Sequence, residues 1–339
     1  MHLHIVKFII ININIIIIYL IIIINLYLKM DQSAFDVFQT VKNYLYLGDF
    51  VKCCEEIKNM DINEDDLSQV IKKNFYYFMS LIESQKDEDI NTLLGELKTK
   101  SEKQIKIYFN LFLFFVVYIY KDKFDQKKFD TFFNELKDVK RYDPSIFPAV
   151  YVIALMCLDR EEYKNFLTLI EKFEGDIEIL FLKFHLMLKM NKEHEMEKIV
   201  NSMELKESDS VITNLCHVIY DLYMKNDWDG AVNRLQGISK NNKVSPKLFN
   251  LIGVALMSKG SFEEAAKILV LGKETCENSK EVMLDYNSLL VNLICCYRNL
   301  GKEEEIRNVE EYLRKNDSEN GYFERLNKFE QEFEKAVKG

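Results

Sequence analysis

One stretch of this chain restricts its fold more than any other. From Pro246 to Ser279 it reads PKLFNLIGVALMSKGSFEEAAKILVLGKETCENS, two apolar-striped segments joined at a glycine. The stripes recur at three- and four-residue spacing, the period of an amphipathic helix. With Pro246 as position 1, Gly253 falls at position 8, Gly260 at 15, Phe262 at 17 and Ala265 at 20. Each place has a mechanical reason. Positions 8 and 20 are where two antiparallel helices cross, so only a small side chain fits. Position 15 ends the first helix, where glycine reaches the left-handed conformation. The aromatic at 17 fills the space beneath the turn.

A 34-residue helix-turn-helix with these marks is a tetratricopeptide unit. The same count places a unit from Ile212, with Trp228 at 17 and Ala231 at 20, and another from about Asn287, with Gly301 at 15. A unit from Ala34 has Gly48 at 15, Phe50 at 17 and Cys53 at 20. Around Phe147 a unit places Ala154 at 8 and Tyr163 at 17; around Ile177 only the apolar spacing persists. Between them Leu67–Ser84, Ile90–Leu97, Glu102–Tyr120 and Gln126–Val139 read as helices without the signature residues. With 11 Gly and 3 Pro the chain has too few turn residues for a β protein of this length. The expected fold is all-α: a tetratricopeptide-like α-solenoid over residues 30–339, a right-handed superhelix of antiparallel helix pairs whose stacking makes one continuous core and a groove.

Residues 1–29 are a separate apolar low-complexity extension, rich in Ile and Asn, with only Lys7 and Lys29 charged. Ile5 to Leu28 is long enough to span a bilayer. It lacks a small-residue cleavage site for a signal peptidase. It also reads as translated AT-rich non-coding sequence, with the working protein starting at Met30. These readings stay open.

Beyond that extension the chain carries a net charge of −11, with no lysine and arginine cluster of the kind nucleic acid requires. Seven cysteines show no C-x-x-C spacing and read as buried free thiols. His185, His194 and His217 stand alone on different helices, and no phosphate loop, dinucleotide fingerprint or nucleophile elbow occurs. The sequence therefore gives no catalytic or metal site, cofactor or small-molecule substrate.

A groove holds its partner through the inward places of each first helix, positions 2, 5, 9, 12 and 13. These predict Phe35, Phe38, Lys42, Leu45 and Tyr46 in the first unit. In the 212 unit they predict Thr213, Cys216, Tyr220, Tyr223 and Met224; in the 246 unit, Lys247, Asn250, Val254, Met257 and Ser258. Several are apolar, as expected where a partner removes them from water.

From Met30 on, the chain resembles the epsilon subunit family of coatomer, the COPI vesicle coat. DVFQTVKNYLYLGDFVKCCEEIKNM looks like that family's opening helix pair. SPKLFNLIGVALMSKGSFEEAAKIL, VMLDYNSLLVNLICCYRNLGK and NGYFERLNKFEQEFEKAV are similar to its terminal order. The resemblance implies a non-enzymatic subunit that binds and stabilises the alpha subunit, and through it the heptameric coat. It further implies a cytoplasmic protein peripheral on Golgi and COPI vesicle membranes, serving Golgi-to-endoplasmic-reticulum and intra-Golgi transport. The competing expectation, a membrane-anchored tetratricopeptide receptor of the mitochondrial import type, calls for a Lys/Asn/Arg carboxylate clamp. Positions 5 and 9 hold Asn250 and Val254, and Phe38 and Lys42, instead.

Overall fold

The computed structural model describes residues 36–100, 102–121, 124–139, 143–242, 245–279, 284–318 and 320–338. The extension at 1–29 and Phe35 lie outside them. The chain divides into two units, Met1–Thr40 and Val41–Gly339. In the first, the Asp36 side chain accepts a hydrogen bond from the Phe38 amide at 3.0 Å and starts a turn.

Among the described residues the regular structure is all helical, and most of the helices form antiparallel pairs. The first two pairs are α1 (Gln39–Leu47) with α2 (Phe50–Asn59), and α3 (Leu67–Glu83) with α4 (Asp87–Thr99). Then come α5 (Lys103–Lys121), α6 (Gln126–Lys137), α7 (Phe147–Asp159) and α8 (Tyr163–Ile170). Next are α9 (Ile177–Lys189) with α10 (Glu193–Glu207), and α11 (Val211–Tyr220) with α12 (Trp228–Asn241). The array ends with α13 (Pro246–Ser258), α14 (Phe262–Ser279), α15 (Leu284–Asn299), α16 (Glu303–Asn316) and α17 (Gly321–Lys338).

One backbone device repeats at the turns. Gly48, Gln85, Glu161, Asn191, Asn226, Gly260 and Gly301 all have φ between 52° and 84°, the left-handed region. Two residues after each, the second helix of the pair begins. At six of these turns the amide following the left-handed residue bonds a carbonyl five places back, at 2.8–3.1 Å, as from Asp49 to Tyr44 and Ser261 to Leu256. This is a Schellman closure. Six of the left-handed residues stand at position 15 of the units counted from 34, 147, 177, 212, 246 and 287. Glycine there is therefore dispensable: the closure forms with Gln, Glu or Asn, at a cost of about 1–2 kcal/mol for a side chain in that region. Gln85→Gly should raise stability by about 0.5–1 kcal/mol once the greater freedom of unfolded glycine is subtracted. A denaturant midpoint shifted upward at unchanged slope checks it.

The crossing positions explain the packing. A Cβ on Gly253 would lie 2.5 Å from Cδ2 of Leu269, so α13 and α14 touch there. Ala231 and Ala265 at position 20 are fully buried. Other pairs fill that place with Cys53, Ile90, Phe166, Met196 and Ile306, all buried. Gly272 is a second close approach: a Cβ there would sit 2.8 Å from Cβ of Phe249 and 2.7 Å from Leu289, where α14 is wedged between α13 and α15. In the middle of the chain, aromatic rings replace small residues. Phe78 stacks on Phe112 at 4.3 Å, and Phe114 lies 5.9 Å from Phe132, holding α5 and α6 apart. A cleft of about 520 Å³ opens between them, lined by Leu113, Phe114, Val117 and Phe124 among others.

Candidate inner-face site

Within Val41–Gly339, side chains of first helices far apart in sequence meet on one shared side. The centre of that side is Glu178, in the first turn of α9 and 1% exposed. Asp176 caps α9, accepting from the amides of Glu178 and Ile179 at 2.9 and 3.3 Å, and so fixes where Glu178 points. Its carboxylate accepts hydrogen bonds from the Tyr46 hydroxyl at 2.8 Å and the Tyr76 hydroxyl at 2.6 Å. Lys42 Nζ stands 3.4 Å away and is itself 8% exposed. Tyr46 also lies 3.3 Å from the Tyr151 hydroxyl and edge-on to Phe181. Burial raises the Glu178 pKa, opposed by Lys42 and the two hydroxyl donors. The same burial pushes the phenols of Tyr46 and Tyr151 up. At the start of α13, the Ser245 hydroxyl donates to the Leu47 carbonyl and, as the N-cap, accepts from the Leu248 amide.

Residues 41–47 thus fill the inner face at α9 from within the chain. This corrects several expected groove residues. Phe38 and Lys42 are buried, as is Tyr46, and Leu45 is half-buried. Thr213, Cys216 and Tyr220 are buried too. For Thr213 and Tyr220 the cause is a π turn, Asp221–Lys225, in which the Asp227 amide reaches back six places to the Asp221 carbonyl. The extra residue rotates everything before it by about 100°. Thr213 and Tyr220 move to the places that buried Leu248 and Ala255 hold in the 246 unit. Tyr223, beyond that turn, is 63% exposed, and Met224 is half-buried. Trp228 also departs from expectation: it opens α12 at 38% exposure rather than plugging the turn.

The 246 unit is open. Lys247, Asn250, Val254 and Met257 are half-buried and Ser258 is exposed. Asn250 Oδ1 accepts from Asn292 Nδ2 of α15 at 2.8 Å, linking two first helices along one strip. Phe181 and His185, half-buried, continue it on α9 with ring centroids 4.3 Å apart. Burial lowers the His185 pKa; the Phe181 carbonyl opposes this and the Lys247 charge adds to it. Sequence reasoning missed Glu178, Phe181 and His185 as inward residues. Counting back from Asn191 at position 15 gives them at positions 2, 5 and 9 of the Ile177 unit, so the signal was present.

Among the described residues no group of three or more His, Cys, Asp or Glu could hold a metal ion. Six cysteines are buried and Cys295 is half-buried, all as thiols. Among the described residues no helix is long and apolar enough to cross a membrane.

The profile of the family described as the coatomer epsilon subunit matches residues 34–339, nearly the whole chain. The chain belongs to that family. No curated protein sequence matches it. The solved structures similar to it include two tetratricopeptide-type chains. A tetratricopeptide repeat protein from Parabacteroides merdae ATCC 43184 is 12% identical over 87% of this chain and 97% of that one, with TM-score 0.48. A structure of MamA AMB-1 is 13% identical over 57% of this chain and 94% of that one, with TM-score 0.36. Family membership makes the chain a COPI coat subunit that associates with other coatomer subunits.

Proposed function

We propose that this subunit is non-catalytic and holds the alpha subunit of coatomer, stabilising it for Golgi-to-endoplasmic-reticulum and intra-Golgi transport. It works from the cytoplasmic side, peripheral on Golgi and COPI vesicle membranes. The family match over residues 34–339 carries this reading. The inner face supplies its chemistry. The strip Phe181, His185, Lys247, Asn250, Val254 and Met257 combines apolar surface with polar groups, as a peptide-binding face does. The paired amides of Asn250 and Asn292 keep further donors and acceptors for a partner backbone.

The test is co-expression of the full chain with the alpha subunit, followed by affinity measurement. The Lys247→Glu, Asn250→Asp double variant should bind at least tenfold more weakly (about 1.4 kcal/mol) with its unfolding midpoint unchanged. Unaltered affinity would remove the strip from the interface. Wild type failing to bind any coat subunit would overturn the reading itself.

A further inference from the structure

Units of a solenoid touch their neighbours, so contacts that skip units are the ones that fix how the array bends. The end of α1 makes such contacts with two different helices. On α9, the Tyr46 hydroxyl donates to Glu178 at 2.8 Å, and Lys42 Nζ stands 3.4 Å from the same carboxylate. On α13, the Ser245 hydroxyl donates to the Leu47 carbonyl, one of those that a helix end leaves without a partner in its own helix. Tyr46 and Glu178 are 132 positions apart, and Leu47 and Ser245 are 198 apart. In the chain, α10, α11 and α12 come between the two helices that α1 joins.

The polar groups of this bridge are buried, Lys42, Glu178 and Ser245 all among them. Apolar surfaces slide over one another at little cost. A buried hydroxyl or carboxylate whose partner moves loses its bond and stays desolvated. Such contacts hold one spacing. The bridge also reaches the open strip. The Tyr46 ring meets the Phe181 ring edge-on, with centroids 5.2 Å apart. Phe181 lies one turn after Glu178 on α9, and Lys247 stands in the first turn of α13, two residues after Ser245. Both halves of the strip are therefore tied to the last turn of α1. A site already at its bound spacing binds more tightly, because the cost of ordering it is not charged against binding.

We infer that α1 is a strut, and that Tyr46 and Ser245 are positioning residues that set α9 against α13 and so hold the two halves of the strip at the spacing the partner requires. That the strip takes the alpha subunit rests on the proposed function; that α1 braces the two helices does not. The test uses the full chain. Ser245→Gly removes the donor to Leu47 while leaving a residue that still caps α13. Tyr46→Phe removes the bond to Glu178 and keeps the ring against Phe181. In the free chain the double variant should exchange the amides of 44–49 at least tenfold faster, with exchange in α15 and α16 unchanged. Its affinity for the co-expressed alpha subunit should fall at least tenfold, although no strip residue is altered. Ser245→Thr, which keeps both the hydroxyl and the cap, should exchange and bind as wild type does. Should the double variant not fold, Ser245→Gly is compared with Ser245→Thr by the same two readouts. Unchanged exchange at 44–49 would overturn the bracing, and faster exchange there with full affinity would overturn the positioning. Exchange that speeds up throughout the chain would make both residues merely structural and overturn the inference as well. Should wild type bind no coat subunit, the functional proposal fails instead, and exchange in the free chain still decides whether α1 is a strut.

Discussion

Glu178→Leu should destabilise the protein by about 3–5 kcal/mol, the range for removing one member of a buried ion pair. The substitution removes the Glu178 carboxylate from the buried Lys42 ammonium and from the Tyr46 and Tyr76 hydroxyls, Tyr46 keeping only the longer contact to the Tyr151 hydroxyl. Each of these groups was desolvated to meet Glu178, so none regains water without opening the inner face. Lys42→Met should cost less, because Glu178 can escape its burial by taking up a proton. The pH dependence follows. Folding raises the Glu178 pKa, so the folded state binds a proton more tightly than the unfolded chain. The stability this contributes is fully present below the unfolded value and is lost as pH rises through the folded one. Lys42 opposes the rise, so its removal pushes the folded pKa higher. The gap between wild type and Lys42→Met should therefore narrow as pH is lowered from 7 towards 5. Denaturant titrations of both proteins across that range check it; a gap independent of pH would place the cost elsewhere than the Glu178 carboxyl.

The second large effect is steric. Gly272→Leu should cost about 3 kcal/mol, at the upper end for overpacking a core. A Cβ at 272 would lie 2.8 Å from Cβ of Phe249, an atom tied to the α13 backbone, so the helix itself has to shift. At Gly253 the obstacle is the end of the Leu269 side chain, which can rotate away. Gly253→Ala should therefore be milder than Gly272→Ala, even though each gains up to about 1 kcal/mol of helix propensity. Ala265→Leu, fully buried at the crossing, should cost about 1–3 kcal/mol. Thermal or urea unfolding of the set gives the order. A Gly253→Ala protein less stable than Gly272→Ala would mean that α14 packs differently.

The repeat was legible because its marks are backbone requirements. Position 15 must be left-handed, and the count from Pro246 and its neighbours lands on the left-handed residue in six units, including Glu161 and Asn191 where no glycine announces it. The helices at 67–83, 87–99, 103–121 and 126–137 were equally readable from apolar spacing. The site was less so. Sequence counting assumes an unbroken α-helix, and the π turn at 221–225 turns Thr213 and Tyr220 away from the groove into the core. Counting also treats each unit alone. Nothing in the first unit says that Lys42 and Tyr46 will meet Glu178, which depends on how far the array curves back over 132 residues. Gly272 was overlooked for a related reason: its neighbours, Phe249 and Leu289, belong to helices of two different units.

The account's central claim is that the open strip on α9 and α13, rather than the self-filled face around Glu178, holds the partner. Lysine cross-linking and mass spectrometry of the assembled coat tests it most directly. Lys247 should link to the alpha subunit, while buried Lys42 should not react until the complex is unfolded. A Lys42 link to the alpha subunit, with Lys247 unlinked, would contradict it.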